Sequence, residues 1–338
     1  MSDLDAVFDL IDRITCLDIG RRGVAGLYEP ARARNDEALC AAAARPLAGL
    51  SRGDHVIILT GSLTRANVSP DIAENDGPMG VAVLARAITH GFNAIPIIVV
   101  DESICDKVSA VTRVAGPNVV TLDQARIAVD TPRYTSIAVV QGGHIDDDAA
   151  RAQAVAMIED TQPKAVISVE RAGLSADGTY RNARGEDYSA GRARLDHIVL
   201  EAARRGIPTI GIGDGGNEIG MGAVKEAVAA HIPHGKVLCA DIATDVLIPA
   251  GVSNWGCYGV AAALAVQTGI LDLAHTPDLE RRLLEACPQI GLVDGTSGKL
   301  EPTADGLPLA AHTSLVELLW TVARRGIETG GKPPFALT

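Results

Sequence analysis

The run IPTIGIGDGGNEIGMG, residues 207–222, joins a short apolar segment to a glycine-rich segment that carries two acids. The first six residues are rich in β-branched side chains and free of charge, which is typical of a parallel strand covered on both faces. The residues that follow bring Asp214, Asn217 and Glu218 to the end of that strand. Because ligands of open α/β sheets bind beyond the carboxyl ends of the strands, this run predicts both a sheet and a site.

Other parts of the chain repeat the strand pattern and alternate it with helical patterns. Further apolar runs end at turn or polar residues and occupy residues 55–61, 95–100, 136–140, 165–169 and 236–240. Alanine-rich helical patterns lie between or after them, at residues 80–90, 147–160, 192–205, 224–230 and 260–269. This alternation predicts an α/β fold: a doubly wound, mostly parallel sheet with helices on both faces.

The remaining segments are expected to cover the sheet. Residues 3–50 carry helical patterns, as do residues 271–282 and 314–325. No composition shift and no low-complexity linker divides the chain. We therefore expect one α/β domain over residues 1–338, with a helical cover at residues 1–50.

Charge and composition exclude several classes of function. The 338 residues carry a formal net charge of −12, so we do not expect a nucleic-acid partner. No stretch reaches the roughly 20 apolar residues of a membrane helix, and the acidic N-terminus lacks a signal core. The six cysteines form no C-x-x-C pair, as in proteins of a reducing compartment. We expect a cytoplasmic protein that acts on a small molecule, and its homo-oligomeric state stays open.

The glycine-rich segment supports two hypotheses about its ligand. Three of its glycines fit the spacing G-x-G-x-x-G of a dinucleotide-binding loop, namely Gly211, Gly213 and Gly216. Asp241 follows the run 236–240, where an acid that binds ribose would lie, so an NAD(P)-dependent oxidoreductase is one alternative. Asp214 and Glu218 argue against it, because two carboxylates repel a pyrophosphate and suit a cation or proton transfer better.

A second polar segment begins where the run 165–169 ends. Glu170 follows that predicted strand directly, and the loop beyond it combines arginines with acids. Arginine binds carboxylates and acids bind ammonium groups, so this loop is expected to hold a zwitterion. A solvated surface loop with local salt bridges is the alternative. The side chains expected to contact the ligand are those of Arg171, Asp177, Tyr180, Asn182 and Arg184.

Three shorter segments also qualify. In ENDGPMG, residues 74–80, Asp76 is expected either to cap the following helix or to take part in catalysis. In GVSNWGCYG, residues 251–259, Ser253 and Asn254 suit the close approach of a ligand. The segment DGTSGK, residues 294–299, is expected to form a simple turn or to close over the site.

Together these segments resemble the D-glutamate cyclase family, including its uncharacterised bacterial relatives. The matching stretches are ENDGP at 74–78, ERAG at 170–173, DGxYxNxRG at 177–185, GDGGNEIGMG at 213–222 and SNWG at 253–256. Asn75 and Met79 depart from the family's first motif, which reads ETDGPPG. The resemblance implies a hydro-lyase that converts D-glutamate to 5-oxo-D-proline and water. Metazoan members are mitochondrial, whereas this N-terminus shows no transit-peptide pattern.

That ring closure needs a base for the α-ammonium group and stabilisation of an oxyanion. Asp214 or Glu218 is the expected base if burial raises its pKa. With Glu170 they form the expected catalytic set and the expected ligands of Mg²⁺ or Mn²⁺, without an organic cofactor. A non-catalytic sensor of an acidic metabolite is a further alternative. The neighbouring residues expected to contact the acidic amino acid are Gly215, Gly216 and Asn217.

Overall fold

The computed structural model describes residues 3–61, 63–131 and 135–332. Its helices are α1 (Asp3–Thr15), α2 (Tyr28–Arg32), α3 (Leu39–Ala48), α4 (Pro78–Phe92), α5 (Cys105–Ala115), α6 (Leu122–Asp130), α7 (Asp147–Thr161), α8 (Asp196–Arg204), α9 (Lys225–His231), α10 (Gly235–Leu238), α11 (Ser253–Thr268), α12 (Pro277–Ile290) and α13 (Leu309–Thr329). Its strands are β1 (His55–Leu59), β2 (Ala73–Glu74), β3 (Ile95–Asp101), β4 (Asn118–Val120), β5 (Ile137–Gly143), β6 (Val166–Val169), β7 (Thr209–Gly213), β8 (Val246–Pro249), β9 (Leu292–Val293), β10 (Thr303–Ala304) and β11 (Leu307–Pro308). Within the described ranges, no helix has the length and apolar character that crossing a bilayer requires.

Seven strands form one parallel sheet in the order β4-β5-β3-β1-β6-β7-β8. The chain builds the sheet outward from β1, first through β3 to one edge and then from β6 to the other. The order therefore reverses between β1 and β6, and such a switch point opens a crevice at the carboxyl ends of the strands. The doubly wound α/β fold predicted from the sequence is confirmed.

Alternate side chains of the strands enter two separate hydrophobic layers. Val56 and Ile58 of β1 belong to a core that includes residues of α3, α4, α5 and α11. Ile57 and Leu59 face the other way and pack with residues of α7 and α8. Because both faces are covered, β1 reads as a continuous apolar run rather than an alternating one. The helices α1 and α3 contribute to the first core, as expected of a helical cover.

One predicted strand is wrong. The run 236–240 lies largely in α10, which follows His234 in a left-handed conformation with φ of 59°. The strand that pairs with β7 is instead β8. An apolar run this short has no periodicity that separates a strand from a helical turn. Asp241 consequently ends no strand; it is exposed and forms an ion pair with Lys225.

Two helices begin beside the switch point and pack against each other. The helix α4 begins at Pro78, as its proline predicts, and α11 begins at Ser253 rather than near residue 260. The predicted loop 251–259 thus supplies the first turns of α11. Both helix starts direct backbone N–H groups toward the same place, where acidic side chains are favoured.

Candidate active site

Three carboxylates meet at the carboxyl edge of the sheet. Glu170 follows β6 directly, Asp214 follows β7 directly, and Asp76 lies just before α4. One oxygen atom of each lies within 4.8 Å of the others. Asp76 and Asp214 are buried, whereas Glu170 is partly exposed. Neighbouring strand ends therefore bring together acids that are far apart in the chain, and we call these three residues the acidic trio.

Backbone conformation holds Glu170 in position. Its φ of 47° lies in the left-handed region, which is uncommon for a residue with a side chain and is often found at functional sites. Gly77 packs closely against it, because a Cβ on Gly77 would lie 2.9 Å from Glu170 Cβ and 2.6 Å from Thr60 Oγ1. The hydroxyl of Ser253 donates a hydrogen bond of 2.5 Å to Glu170 Oε2. Glycine at position 77 is thus required for the approach of α4 to β6.

Asp76 and Asn254 connect the starts of α4 and α11. The carboxylate of Asp76 accepts backbone N–H groups of Ser253 and Asn254, at 3.0 and 2.7 Å. The amide oxygen of Asn254 accepts those of Gly77 and Gly80, at 3.0 and 2.6 Å. Each side chain satisfies orphan N–H donors at the start of the other helix. Asp76 therefore caps α11 and not α4, the helix that the sequence predicts it to cap.

Arg22 is the cation nearest to the acidic trio. Its Nη1 donates to Asp214 Oδ2 at 2.7 Å, and its Nη2 lies 2.7 Å from Asp305 Oδ1. Arg22 follows α1, and Asp305 forms the turn of the β10–β11 hairpin. The charge of Asp214 is the main cause that raises the pKa of Arg22, so the guanidinium stays ionised. Through Arg22, these ion pairs connect the segment after α1 and the β10–β11 hairpin to the loop that contains Asp214.

Glu218 is engaged by its own loop. Its Oε1 accepts the backbone N–H groups of Asp214 and Gly215, and its Oε2 accepts that of Gly216, at 3.2, 2.6 and 2.7 Å. These N–H groups are the ones that a pyrophosphate would need, so the carboxylate occupies the dinucleotide position. With Asp241 also misplaced, the geometry removes the basis for the oxidoreductase alternative. The side chain of Glu218 holds the loop that presents Asp214.

Burial dominates the electrostatics of the acidic trio. It raises the pKa values of Asp76, Glu170 and Asp214 well above those of ordinary carboxyl groups. Neighbouring carboxylates add to this effect, because like charges disfavour ionisation. At Asp214 the charge of Arg22 opposes it and lowers the pKa. The arrangement therefore favours a proton or a cation between these oxygens.

Two members of the acidic trio face a cavity of about 1110 Å³. Glu170 and Asp214 line its floor, and the loop 182–192 forms one wall. The two segments singled out from the sequence thus face a single cavity. Of the residues predicted to contact the ligand, those that line it are Asn182, Arg184, Gly215 and Asn217.

Other predicted contact residues serve the loop itself. Asp177 is exposed and bonds Thr179 and Arg181 within its own turn. The hydroxyl of Tyr180 is buried and donates to Asp196. Gly216 is buried, with φ of 93° that glycine adopts readily. These residues do not line the cavity in the described part of the chain. Asp177 and Tyr180 belong to the loop that presents Asn182 and Arg184, and Gly216 packs near Val228 and Leu238.

Arg171 is buried away from the cavity, with 2% of its surface exposed. It forms an ion pair with Asp101, where Nη2 lies 3.1 Å from Oδ1. Its remaining donors bond the backbone oxygens of Gly61 and Ala193, at 3.0 and 2.6 Å. The predicted role of Arg171 in binding the ligand is therefore corrected. Its position just past the end of β6 suggests a place in the site, but its guanidinium joins the ends of β1, β3 and β6.

Several cavity residues carry no motif in the sequence. The side chain of Arg65 bonds the backbone oxygens of Gly295 and Thr296, which brings the segment 294–299 to the rim. Desolvation raises the pKa of Tyr188 to about 12, so its hydroxyl stays protonated at the wall. The cavity-lining side chains that the sequence analysis missed include Arg22, Arg65, Tyr188, Arg192 and Asp305. An alignment could reveal them, but no single-sequence pattern does.

The oxygen donors of the acidic trio suit a hard divalent cation such as Mg²⁺ or Mn²⁺. The trio shares Glu170 and Asp214 with the ligand set predicted from the sequence and contains Asp76 in place of Glu218. Both oxygens of Asp76 already accept backbone N–H groups, so Glu170 and Asp214 offer the more available oxygens. The residues present can therefore hold a metal ion.

Comparisons with known proteins identify the family of the chain. The family model described as D-glutamate cyclase-like, C-terminal, matches residues 11–320. The human protein named D-glutamate cyclase, mitochondrial, is 32% identical over 329 residues. That match covers 90% of this chain and 50% of the human protein, so the chain spans about half the length of this relative. The matched region contains the acidic trio, Arg22 and Asp305, and the chain belongs to the D-glutamate cyclase-like family.

Proposed function

We propose that this protein cyclises D-glutamate to 5-oxo-D-proline and water. Its family membership and its 32% identity to the human D-glutamate cyclase support the proposal. The observation that carries it is the acidic trio, which shares one buried space with the guanidinium of Arg22. An acidic amino acid offers the matching charges, one ammonium group and two carboxylates.

The proposed reaction joins the α-nitrogen to the γ-carbon of the same molecule. The C–N bond forms as one γ C–O bond breaks, and two protons from the ammonium group leave with that oxygen as water. Because the ring closure is intramolecular, holding the bent conformer removes much of its entropic barrier. The protein has two further tasks, which are to take a proton from the ammonium group and to stabilise the developing oxyanion.

We assign the role of base to Glu170. Asp214 pairs with Arg22, which favours its ionised form and makes it the weaker base. Glu218 is saturated by three backbone N–H groups. Glu170 faces other carboxylates, is partly exposed to the cavity, and has a pKa raised by burial. A raised pKa brings a carboxylate closer to the basicity needed to accept a proton from an ammonium group.

The cationic side chains are proposed to hold the two carboxyl groups of the substrate. Arg22 lies nearest the acidic trio and is 30% exposed, so it faces the γ-carboxyl group and the developing oxyanion. Arg184 and Asn182 lie on the cavity wall, where they bind the α-carboxylate. With the ammonium group held near Glu170, contacts to three groups of the substrate would select the D hand.

A divalent metal is compatible with this arrangement. When bound, it would be held by Glu170 and Asp214 beside Asp76 and would stabilise negative charge on the γ-oxygen. Glu170 cannot serve as metal ligand and base at the same time. Activity that survives EDTA therefore supports Glu170 as the base, and strict metal dependence moves that role to another group.

The test is product formation by the purified chain. We expect D-glutamate, with Mg²⁺, Mn²⁺ or EDTA, to yield 5-oxoproline by chiral chromatography and mass spectrometry, with L-glutamate as the stereochemical comparison. Asp214→Asn keeps the shape of the side chain but weakens its pairing with Arg22, the proposed oxyanion-stabilising group, and turnover is expected to fall by about 10²–10³-fold. Asp148→Asn, on the exposed surface of α7, is the matched control. Tight binding without product would indicate a sensor, and activity on another acid alone would reject the substrate.

A further inference from the structure

One carboxylate oxygen in the cavity lacks a partner. The side chain of Asp305 lines the cavity and is only 7% exposed. Its Oδ1 pairs with Arg22 Nη2, whereas its Oδ2 is buried and accepts no hydrogen bond from the described residues. A buried acceptor left without a donor costs free energy, so such an atom at a cavity wall points to a ligand.

We infer that Asp305 Oδ2 binds the ammonium group of an amino-acid substrate. The inference rests on the proposed function and adds a recognition residue to it. Arg22 contributes one positive charge between Asp214 and Asp305, while Glu170 and Asp76 add further acid nearby. The space is therefore short of positive charge. An ammonium group carries three N–H donors, which suits Asp305 Oδ2 on one side and Glu170 on the other.

The hairpin holds Asp305 in place before a ligand arrives. The indole N–H of Trp255 donates to His312 Nδ1 at 3.0 Å, so His312 Nε2 carries the proton that bonds Ala304 O. Three hydrogen bonds anchor the hairpin on both sides of its turn: Asn75 Nδ2 to Thr303 O at 2.7 Å, His312 Nε2 to Ala304 O at 3.2 Å, and Gly306 N to Asp294 Oδ2 at 2.8 Å. Such anchoring pre-organises a binding atom and reduces the entropy lost on binding.

A metal ion explains the free oxygen less well than an ammonium group does. The oxygens that approach one another within 4.8 Å belong to Asp76, Glu170 and Asp214, and the described cluster does not include Asp305. Its Oδ1 is already paired with the cation Arg22. A monovalent group that donates hydrogen bonds meets this geometry without displacing that pair.

The substitution Asp305→Asn tests the role of Oδ2 separately from that of Oδ1. The residue has φ of 54°, a conformation that asparagine also adopts readily, so the turn is retained. The amide oxygen can still accept from Arg22, while an NH₂ group replaces Oδ2 and opposes an ammonium group. Glu301→Gln removes one negative charge from the exposed chain nearby, where Glu301 pairs with Lys299 at 3.6 Å, and serves as the matched control.

The experiment compares D-glutamate with glutarate, which has both carboxylates but no ammonium group. If the wild-type chain turns over D-glutamate, we measure KM and kcat for D-glutamate and the inhibition constant of glutarate. If it does not, calorimetry gives the dissociation constants of the two ligands. Asp305→Asn is expected to weaken the binding of D-glutamate by about 10–100-fold. The binding of glutarate should be unchanged or tighter, and kcat should be less affected than KM. Glu301→Gln should change neither, and every measurement is made both with EDTA and with Mg²⁺ or Mn²⁺.

The outcomes separate the two proposals. If the wild type turns over D-glutamate and Asp305→Asn leaves the ratio of the affinities for D-glutamate and glutarate unchanged, the ammonium site is rejected and the cyclase activity stands. Equal weakening of both affinities leads to the same conclusion. A changed ratio without turnover supports the ammonium site and rejects the cyclase activity. If neither ligand binds the wild-type chain, both proposals are rejected.

Discussion

Asp76 and Asn254 exchange their capping roles across the site: each accepts backbone N–H groups at the start of the other residue's helix. The exchange fixes α4 against α11 and places the Asp76 carboxylate beside Glu170 and Asp214. Stability and chemistry are therefore linked at this point, because the bonds that join two helices also position one member of the acidic trio.

Replacing Asn254 by alanine should test that link. The variant leaves the N–H groups of Gly77 and Gly80 without their acceptor, so the free energy of unfolding should fall by about 1–2 kcal/mol. Urea denaturation measures the change. The control is Asn118→Ala, which removes an exposed amide bonded to Ser136 O and should be nearly silent. Equal stability of the two variants would show that the exchanged caps do not hold α4 against α11.

Glu170→Gln and Glu218→Gln should separate catalysis from loop support. In Glu170→Gln the buried charge disappears, so kcat should fall by at least about 10²-fold while the protein is no less stable. Glu218→Gln puts an NH₂ group against a backbone N–H donor and should cost about 1–3 kcal/mol of stability. Steady-state kinetics and urea denaturation of both variants are the measurements. A stable, inactive Glu218→Gln would return the role of base to Glu218.

The acidic trio should make stability depend on pH. A carboxyl group whose pKa is raised in the folded state stabilises the fold at low pH, and this contribution is lost as pH rises through the raised pKa. The free energy of unfolding should therefore decline more steeply in the wild type than in Glu170→Gln as the pH rises above the range in which carboxyl groups of an unfolded chain ionise. The difference between the two curves isolates Glu170 from the other ionisable groups, which both proteins share. Parallel curves would mean that Glu170 is ionised throughout.

Arg171→Met should damage the fold rather than the recognition of substrate. The substitution leaves Asp101 buried without its partner and should destabilise the protein by about 3–5 kcal/mol. Asp101→Asn in the same background should recover part of that loss, because it removes the unpaired charge. KM measured well below the unfolding temperature should stay close to the wild-type value. A large rise in KM without loss of stability would restore Arg171 to the binding site.

Much of the candidate site could be predicted from the sequence, because the patterns that predict it span only a few neighbouring residues. Apolar runs that end at Glu170 and Gly213 identify strand ends, and parallel strand ends share one edge of a sheet. The same rule predicts that these strand ends lie close to the loop that contains Asn182 and Arg184. Glu170, Asp214, Asn182 and Arg184 do line one cavity. The run 236–240 shows the limit of the same reasoning, since so short a run lacks a period.

The doubly wound sheet, the family and the acids at two strand ends can be read from the amino-acid sequence, because each follows from residue types at short spacing. Which carboxylates are free to react depends on contacts that form only when the chain folds. Folding saturates Glu218 with N–H groups, pairs Asp214 with Arg22, and brings Asp305 across from a distant hairpin. The availability of a polar atom depends on which partners surround it, and the folded chain supplies those partners from remote segments.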